Sequence, residues 1–116
     1  MLAEYHLEVS REFLIHAREQ LEPGNNLQAS EKGWGAAAYA VKALAERRGW
    51  RHRSHSDLFV AVRRIADTSG RPEVIELFGA ANALHQNFNE GWLDDEYVAI
   101  SLDRLERLLE TLDEAT

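Results

Sequence analysis

The chain has 116 residues, of which 45% are hydrophobic and 28% are charged, a composition typical of a folded protein with one core. It contains no cysteine, which excludes disulfides, thiolate metal ligands and a cysteine nucleophile. The longest apolar run, residues 34–41, is too short to cross a bilayer, and the N-terminus lacks the apolar core of a signal peptide. We therefore expect a single domain over residues 1–116, in the cytoplasm and without membrane contact.

The net charge of −7 argues against nucleic-acid binding by the whole surface, but the charge is unevenly distributed. Residues 42–64 carry seven basic and two acidic side chains, a net +5. The other 93 residues carry six basic and eighteen acidic side chains, a net −12. The basic part can meet an anion, and the acidic remainder can meet a basic partner or keep the protein soluble.

The predicted elements are all helical, because the chain has two prolines and no alternating β-branched runs. Helix one is predicted over residues 3–22, where apolar residues recur at three- and four-residue spacing: Leu2, Tyr5, Val9, Phe13, Ala17 and Leu21. Pro23 and Gly24 end it, and Asn25 or Asn26 is predicted to cap the next helix.

Helix two is predicted over residues 27–48, with Gly49 as its C-terminal glycine. One face carries larger apolar residues, namely Leu27, Trp34, Val41 and Leu44. The opposite face carries small ones, namely Ala29, Gly33, Ala36, Ala40 and Ala43. A glycine inside a helix costs about 1 kcal/mol relative to alanine and is usually tolerated where another backbone comes close. We therefore predict a central helix buried on two sides. Self-association is predicted through its small-residue face, with helix one as a second candidate.

Three further helices complete the predicted fold. Helix three begins near Ser56, with Ser54 or Ser56 as its cap, and Pro72 falls in the first turn of helix four. The stretch NEGWLDD turns the chain, and Asp94 or Asp95 caps helix five. Short connections between five amphipathic helices predict an all-α, antiparallel, four- to five-helix up-and-down bundle.

Two stretches carry a family resemblance. ASEKGWGAAAYAVKALAERRGWRHRSHSDLF (residues 29–59) and AANALHQNFNEGWLDDEYV (residues 80–98) resemble HEPN-like helical bundles, most closely the PaREP-type branch. In that branch an alanine-rich helix with a small-x-Glu-Lys-x-Trp-Gly-Ala pattern leads to a glycine and a Ser-His, and a Leu-His-x-Asn-Phe-x-Glu stretch follows later. The resemblance implies a HEPN-like bundle that pairs with itself as a homodimer or higher homo-oligomer. It also implies a superfamily associated with nucleotides and nucleic acids, without an activity for this branch.

The segment RRGWRHRSHSD, residues 47–57, is the strongest candidate for a binding site. Its arginines can present forked donors to phosphate, and a tryptophan offers a face on which a base can stack. We predict an anion- or nucleic-acid-binding site that comprises Arg48, Trp50, Arg51, Arg53 and His55. The alternative is a solvated turn in which arginines complement a helix C-terminus and the tryptophan covers the end of the bundle.

The candidates for acid–base catalysis are His55 and His85. The resemblance includes active HEPN ribonucleases, in which an arginine is followed four to six residues later by a histidine at the start of a late helix. Here Arg48 with His55 and Arg47 with His52 have the spacing but come too early, after helix two. At the expected place His85 has no arginine shortly before it, so the motif does not assign a ribonuclease.

A structural role is favoured for the other polar side chains. If the bundle brings His85 toward His55 or Glu31, the three form a buried polar cluster. His6 and His16 are expected at the surface or boundary of helix one. No pair of ligands has the spacing of a helical metal site, and no glycine-rich loop follows a strand, so neither a metal nor a cofactor is expected.

Three functions remain open from the sequence. The favoured one is a small self-associating accessory or binding module for nucleotides or RNA, with salt-sensitive affinity. The second is a protein-interaction partner in a two-component system of the toxin–antitoxin or nucleotidyltransferase type. The third is a diverged, metal-independent ribonuclease.

Overall fold

The computed structural model describes the backbone of residues 2–115 and the side chains of residues 4–115. Five helices follow one another, α1 (Leu2–Leu21), α2 (Asn26–Arg48), α3 (His55–Ser69), α4 (Glu73–Glu90) and α5 (Asp95–Glu114), and this part of the chain has no strand. The predicted all-α bundle is confirmed. Within residues 2–115, no helix combines the length and the apolar character needed to cross a bilayer.

Side-chain caps fix the starts of α3 and α5. The Ser54 hydroxyl accepts a hydrogen bond from the Asp57 N–H at 3.0 Å, and the Asp57 carboxylate accepts one from the Ser54 N–H at 3.2 Å. This reciprocal pair is a capping box. At α5 the Asp94 carboxylate accepts from the Tyr97 N–H at 2.8 Å. Ser54 and Asp94 are therefore confirmed as caps.

The start of α2 is held differently from the sequence prediction. Asn25 occupies the capping position, but its side chain makes no capping hydrogen bond. The Asn26 amide instead donates to the Asp95 carboxylate at 2.7 Å and to the Leu93 carbonyl at 3.2 Å. Asn25 is therefore confirmed at the capping position, but no side-chain cap forms, because the Asn25 and Asn26 side chains bond to other parts of the chain rather than to the first turn of α2.

Helix α2 lies at the centre and packs against all four other helices. Its small residues are buried inside the bundle, namely Ala29, Gly33, Ala36, Ala40 and Ala43. Leucines of α4 and α5 approach Gly33, and the Ser10 hydroxyl of α1 donates to the Ala36 carbonyl at 2.6 Å. The predicted burial on two sides is confirmed. The prediction that this small-residue face mediates self-association is wrong, because helices of the same chain already cover it.

Some residues of the predicted apolar stripes lie in solvent. Tyr5 is 57% exposed and Leu27 is 42% exposed. Both stand near the beginning of a helix at an end of the bundle, where fewer neighbouring helices reach. Ser10 is almost fully buried on α1 instead, and the side chain of Leu2, another member of the predicted stripe, lies outside the described residues.

The connection between α2 and α3 places the basic loop on the side of the bundle. Arg48, the last residue of α2, donates to the Thr68 hydroxyl near the end of α3 at 3.0 Å. His55, the first residue of α3, stacks on Trp34 in the middle of α2. Helix α3 therefore runs beside α2 in the same direction. Residues 49–54 run back along α2 and lead to the start of α3.

Candidate anion-binding surface and histidine cluster

The loop after α2 begins as a fixed structure. Gly49 adopts a left-handed conformation with φ of 71°, and the Trp50 N–H donates to the Ala45 carbonyl at 2.9 Å. The Trp50 side chain is half-buried and packs against the hydrophobic core. At the other end of the loop, Ser54 caps α3. The loop is therefore anchored at both ends, which limits the ordering cost of binding a ligand.

Trp50 is covered by arginines. The guanidinium of Arg64 lies 4.3 Å from the centroid of the Trp50 ring, and that of Arg48 lies 5.2 Å from it. Arg48 also donates to the Thr68 hydroxyl and to the Ala115 carbonyl, the latter at 3.2 Å, so it holds the ends of α2, α3 and α5 together. Of the predicted site residues, Arg48 and Trp50 therefore have structural contacts, and a base would compete with two guanidiniums for Trp50.

Arg51 and Arg53 are exposed and border two adjoining open depressions. One, of about 420 Å³, is lined by Trp50, Arg51, Asp57 and Arg64 among others. The second, of about 550 Å³, extends along the loop to Arg53. Within residues 4–115, no carboxylate lies within 4.0 Å of the guanidiniums that meet at this loop, those of Arg48, Arg51, Arg53 and Arg64. We call these four arginines, with loop residues 49–54, the basic surface.

Asp57 is the acidic residue within this surface. A hydrogen bond from the Ser54 backbone N–H holds the pKa of Asp57 below its ordinary value, and the Arg53 N–H, the Ser54 hydroxyl and the charge of Arg51 lower it further. The carboxylate thus occupies the positive end of α3. An anion at the basic surface must bind through the arginine side chains rather than at this helix terminus.

The second candidate site is a cluster of four side chains, Glu31, Trp34, His55 and His85, which we call the histidine cluster. His85 Nδ1 lies 3.1 Å from Glu31 Oε1, and the rings of His55 and His85 have centroids 4.9 Å apart. The Trp34 ring lies 4.9 Å from His55 and 5.1 Å from His85. The conditional prediction that these residues meet is confirmed. The cluster is not buried, however, since His85 and Glu31 are 28% and 35% exposed and His55 is more open.

The histidine cluster joins the two stretches that carry the family resemblance. Ser30 and Glu31 from the first stretch contact Asn87 and His85 from the second, at 2.9 and 3.1 Å. Polar side chains of each stretch therefore have their contact partners in the other stretch. Within residues 4–115, no group of three or more acidic or histidine side chains has the geometry to hold a metal ion.

A second pair of histidines was not identified from the sequence. His6 of α1 and His52 of the loop have ring centroids 5.8 Å apart, and His52 Nε2 lies 2.6 Å from Glu46 Oε2. His6 lies at the boundary, one of the two positions expected for it, since the residue is half-buried; its Nδ1 atom is buried without a hydrogen-bond partner in the structure. A usable signal was the shared face of Tyr39, Lys42 and Glu46 on α2, to which His6 and His52 pack.

The environment of His6 predicts a loss of stability in mild acid. Burial lowers the pKa of His6 below its ordinary value, and the charges of His52 and Lys42 lower it further against the opposing effect of Glu46. The unfolded chain therefore takes up this proton first as the pH falls. We expect the contribution of neutral His6 to the free energy of unfolding to be complete above about pH 6.5. This contribution is lost as the pH falls through the lowered pKa of His6 in the folded protein.

Urea unfolding between about pH 8 and pH 5 measures this loss. His6→Phe is expected to flatten the pH dependence, because the phenyl ring cannot take up a proton. His16→Phe, at an exposed position of the same helix, is the matched control. Its free energy of unfolding should depend on pH in the same way as that of wild type. Equal slopes for wild type and His6→Phe would contradict this account.

The fold and these two sites define the class of the molecule, an all-α bundle of five helices with a basic side loop beside a half-exposed histidine cluster. Comparison with known proteins gives the family. The family model of the Archaeal PaREP1/PaREP8 family matches residues 5–109, and the chain belongs to this family. The resemblance to the PaREP-type branch is thereby confirmed.

A solved structure supports the fold. The crystal structure of a protein from Sulfolobus solfataricus superposes with a TM-score of 0.82 at 23% identity, covering 92% of this chain and 95% of that one. At this identity the likeness establishes the shared fold alone. Among curated proteins, no relative matches the chain.

Proposed function

We propose that the protein is a nucleic-acid-associated binding module that contacts phosphates through its basic surface. The observation that supports this function is the basic surface itself, whose arginines have no carboxylate within 4.0 Å among residues 4–115, in a chain of net charge −7. Neighbouring cations repel one another, and a bound phosphate relieves that repulsion. Guanidinium groups suit this role because their forked donors match two phosphate oxygens at once.

The residues of the basic surface divide into two roles in this proposal. Arg51 and Arg53 bind phosphate, since they are exposed and border the open depressions. Arg48 and Trp50 hold the loop, since Arg48 is bonded to Thr68 and Ala115 and Trp50 packs on the core. His55 contributes from the neighbouring histidine cluster.

The test is a fluorescence-anisotropy titration of short labelled RNA and single-stranded DNA at about 50 and about 200 mM salt. We expect Arg51→Ala/Arg53→Ala to weaken binding about tenfold to a hundredfold at low salt, because two charge-assisted contacts are lost. The slope of log K against log salt should flatten by about 1.4, since each phosphate contact on a single strand contributes about 0.7.

Arg104→Ala/Arg107→Ala is the matched control. It removes the same two charges from exposed positions on α5 and should change affinity less than about twofold. Equal weakening by both double variants would mean that net charge alone drives binding. Absence of wild-type binding at low salt would overturn the proposal and favour a protein partner, the second function considered from the sequence.

Self-association as a homodimer or higher homo-oligomer stays a prediction. The small-residue face of α2 is covered, so of the two helices predicted for self-association α1 is the remaining candidate, and its Tyr5 and Ile15 are 57% and 56% exposed. Light scattering on the titrated samples measures the mass of each variant. A monomeric mass throughout would remove self-association from the proposal.

A metal-independent ribonuclease is the second candidate function, favoured by the contact of Glu31 with His85 and the nearness of His55. A carboxylate that orients one imidazole beside another suits proton transfer near neutral pH. The same RNA samples, incubated with EDTA and separated on a denaturing gel, provide the readout. Cleavage that disappears in His85→Ala would support this function, and intact RNA would exclude it.

A further inference from the structure

An aromatic column runs from the core of the bundle to its surface. Phe78 is fully buried, and its ring centroid lies 5.4 Å from that of Trp34, which is 7% exposed. The His55 ring lies on Trp34, with centroids 4.9 Å apart and the two planes only 6° from parallel. His55 is exposed to solvent. The column therefore ends in a flat imidazole that is supported from below by a buried indole.

The orientation of the His55 ring is fixed by its surroundings. His85 lies beside it, with the planes tilted by 36°, and is itself held by Glu31. The capping box of Ser54 and Asp57 fixes the backbone immediately around His55. Among the described side chains, Trp34 and His85 are the aromatic groups near His55, and no cation is stacked on it. A ring that is already oriented loses little conformational freedom when a ligand stacks on it.

Trp50 does not offer an equivalent surface. The guanidiniums of Arg64 and Arg48 lie over its ring at 4.3 and 5.2 Å. The base-stacking role that the sequence suggests for Trp50 is therefore better fulfilled by His55. Trp50 and His55 thus differ in what covers their rings. Two guanidiniums lie over Trp50, whereas among the described side chains no cation is stacked on His55.

The position of His55 relative to the basic surface suits a polynucleotide. Arg53 stands two residues before His55, so their Cα atoms are at most about 7 Å apart. A phosphate on Arg53 and a base on His55 can thus belong to the same or neighbouring nucleotides of one strand. In a duplex the bases are already stacked on each other, so a base can reach this ring only from an unpaired strand.

We propose that His55, supported by Trp34, is a stacking platform for an unpaired base of a single strand whose phosphates bind Arg51 and Arg53. This inference rests on the proposed function and names its substrate class, single-stranded rather than duplex nucleic acid. The interaction is stacking, so it does not depend on which base is present, because every base has a π-face.

The test compares three labelled ligands of the same length: a single-stranded oligonucleotide, its abasic counterpart and the duplex. All titrations are run at one pH and one salt concentration, so that the ligands and variants are compared under the same conditions. We expect the wild type to bind the single strand more tightly than either other ligand. His55→Ala should weaken single-strand binding about five- to 150-fold, the range that corresponds to 1–3 kcal/mol for a base–aromatic stack.

Two further variants separate stacking from other roles. His55→Phe keeps a flat ring and should stay within about threefold of wild type on the single strand, whereas abasic binding should be the same for all His55 variants. Arg51→Ala/Arg53→Ala should weaken binding of all three ligands. Because His55 is exposed and its helix is capped by other residues, we expect these variants to fold.

The outcomes distinguish this inference from the function on which it rests. Equal wild-type affinity for the base-containing and abasic strands would overturn the proposed stacking of a base on His55. Phosphate binding by the basic surface would still stand. Loss of affinity in His55→Phe as large as in His55→Ala would also overturn it, because the imidazole would then act through hydrogen bonding. Absence of binding to every ligand would overturn the proposed function itself.

Discussion

Replacing Gly33 by valine is expected to lower the free energy of unfolding by about 1–3 kcal/mol, the usual cost of overpacking a core. A Cβ atom at this position would lie 2.9 Å from Leu102 Cδ2 and 3.0 Å from both Leu105 Cδ1 and Leu84 Cδ1. All three leucines are fully buried. They approach from two different helices, α4 and α5, so a shift that relieves one contact tightens another. Urea denaturation monitored by circular dichroism measures the loss.

Gly79→Val is the matched control for Gly33→Val. Gly79 also lies inside a helix, α4, but a Cβ atom there would meet nothing within 4 Å. Both substitutions make the same change in intrinsic helix propensity, which favours valine over glycine by a few tenths of a kcal/mol. We expect Gly79→Val to be as stable as wild type or slightly more stable. If the two variants unfold at the same urea concentration, the packing of α4 and α5 onto α2 is looser than described.

Asn87→Ala should destabilise the protein by about 2–4 kcal/mol, because it leaves one buried and one half-buried polar group without a partner. Asn87 is fully buried on α4. Its amide donates to the Ser30 hydroxyl at 2.9 Å, and its carbonyl accepts from the Leu93 N–H at 2.7 Å. The side chain thus connects α4 to α2 and to the turn before α5. The same denaturation experiment measures the effect.

Asn89→Ala is the control for this substitution. Asn89 stands two residues further along α4, is exposed, and donates to the His85 carbonyl of its own helix at 3.2 Å. Its replacement should change the free energy of unfolding by less than about 0.5 kcal/mol. A similar loss in both variants would show that the buried network around Asn87 contributes no more than an ordinary surface hydrogen bond.

Helix positions could be predicted from the sequence because their determinants are local. Ser54 and Asp94 are caps that stand directly before an apolar repeat, and Gly49 stands directly after one. The small residues of α2 correctly indicate close packing around Gly33. They do not indicate whether the covering helices come from the same chain or from a second one, and here they come from the same chain.

The candidate sites could be predicted only in part, because their contacts join distant parts of the chain. Glu31 and His85 are 54 residues apart, and nothing in either local pattern fixes their separation in space. The loop's arginines could be recognised as an exposed basic group. The covering of the Trp50 ring by guanidiniums could not be predicted, because one of these groups belongs to Arg64 of the next helix. The pairing of His6 with His52 was missed because His52 belongs to a loop whose path depends on the whole bundle.

The contacts that α1 and the end of α5 make at the basic loop limit where a tag or dye can be attached to this protein. His6, near the start of α1, meets His52, and Ala115, beyond the end of α5, accepts from Arg48. Bulky labels attached near the start of α1 or the end of α5 would therefore sit beside the loop and obstruct it. The turn at Pro23 and Gly24 lies at the other end of α2 and is exposed. A dye attached there would leave the loop open.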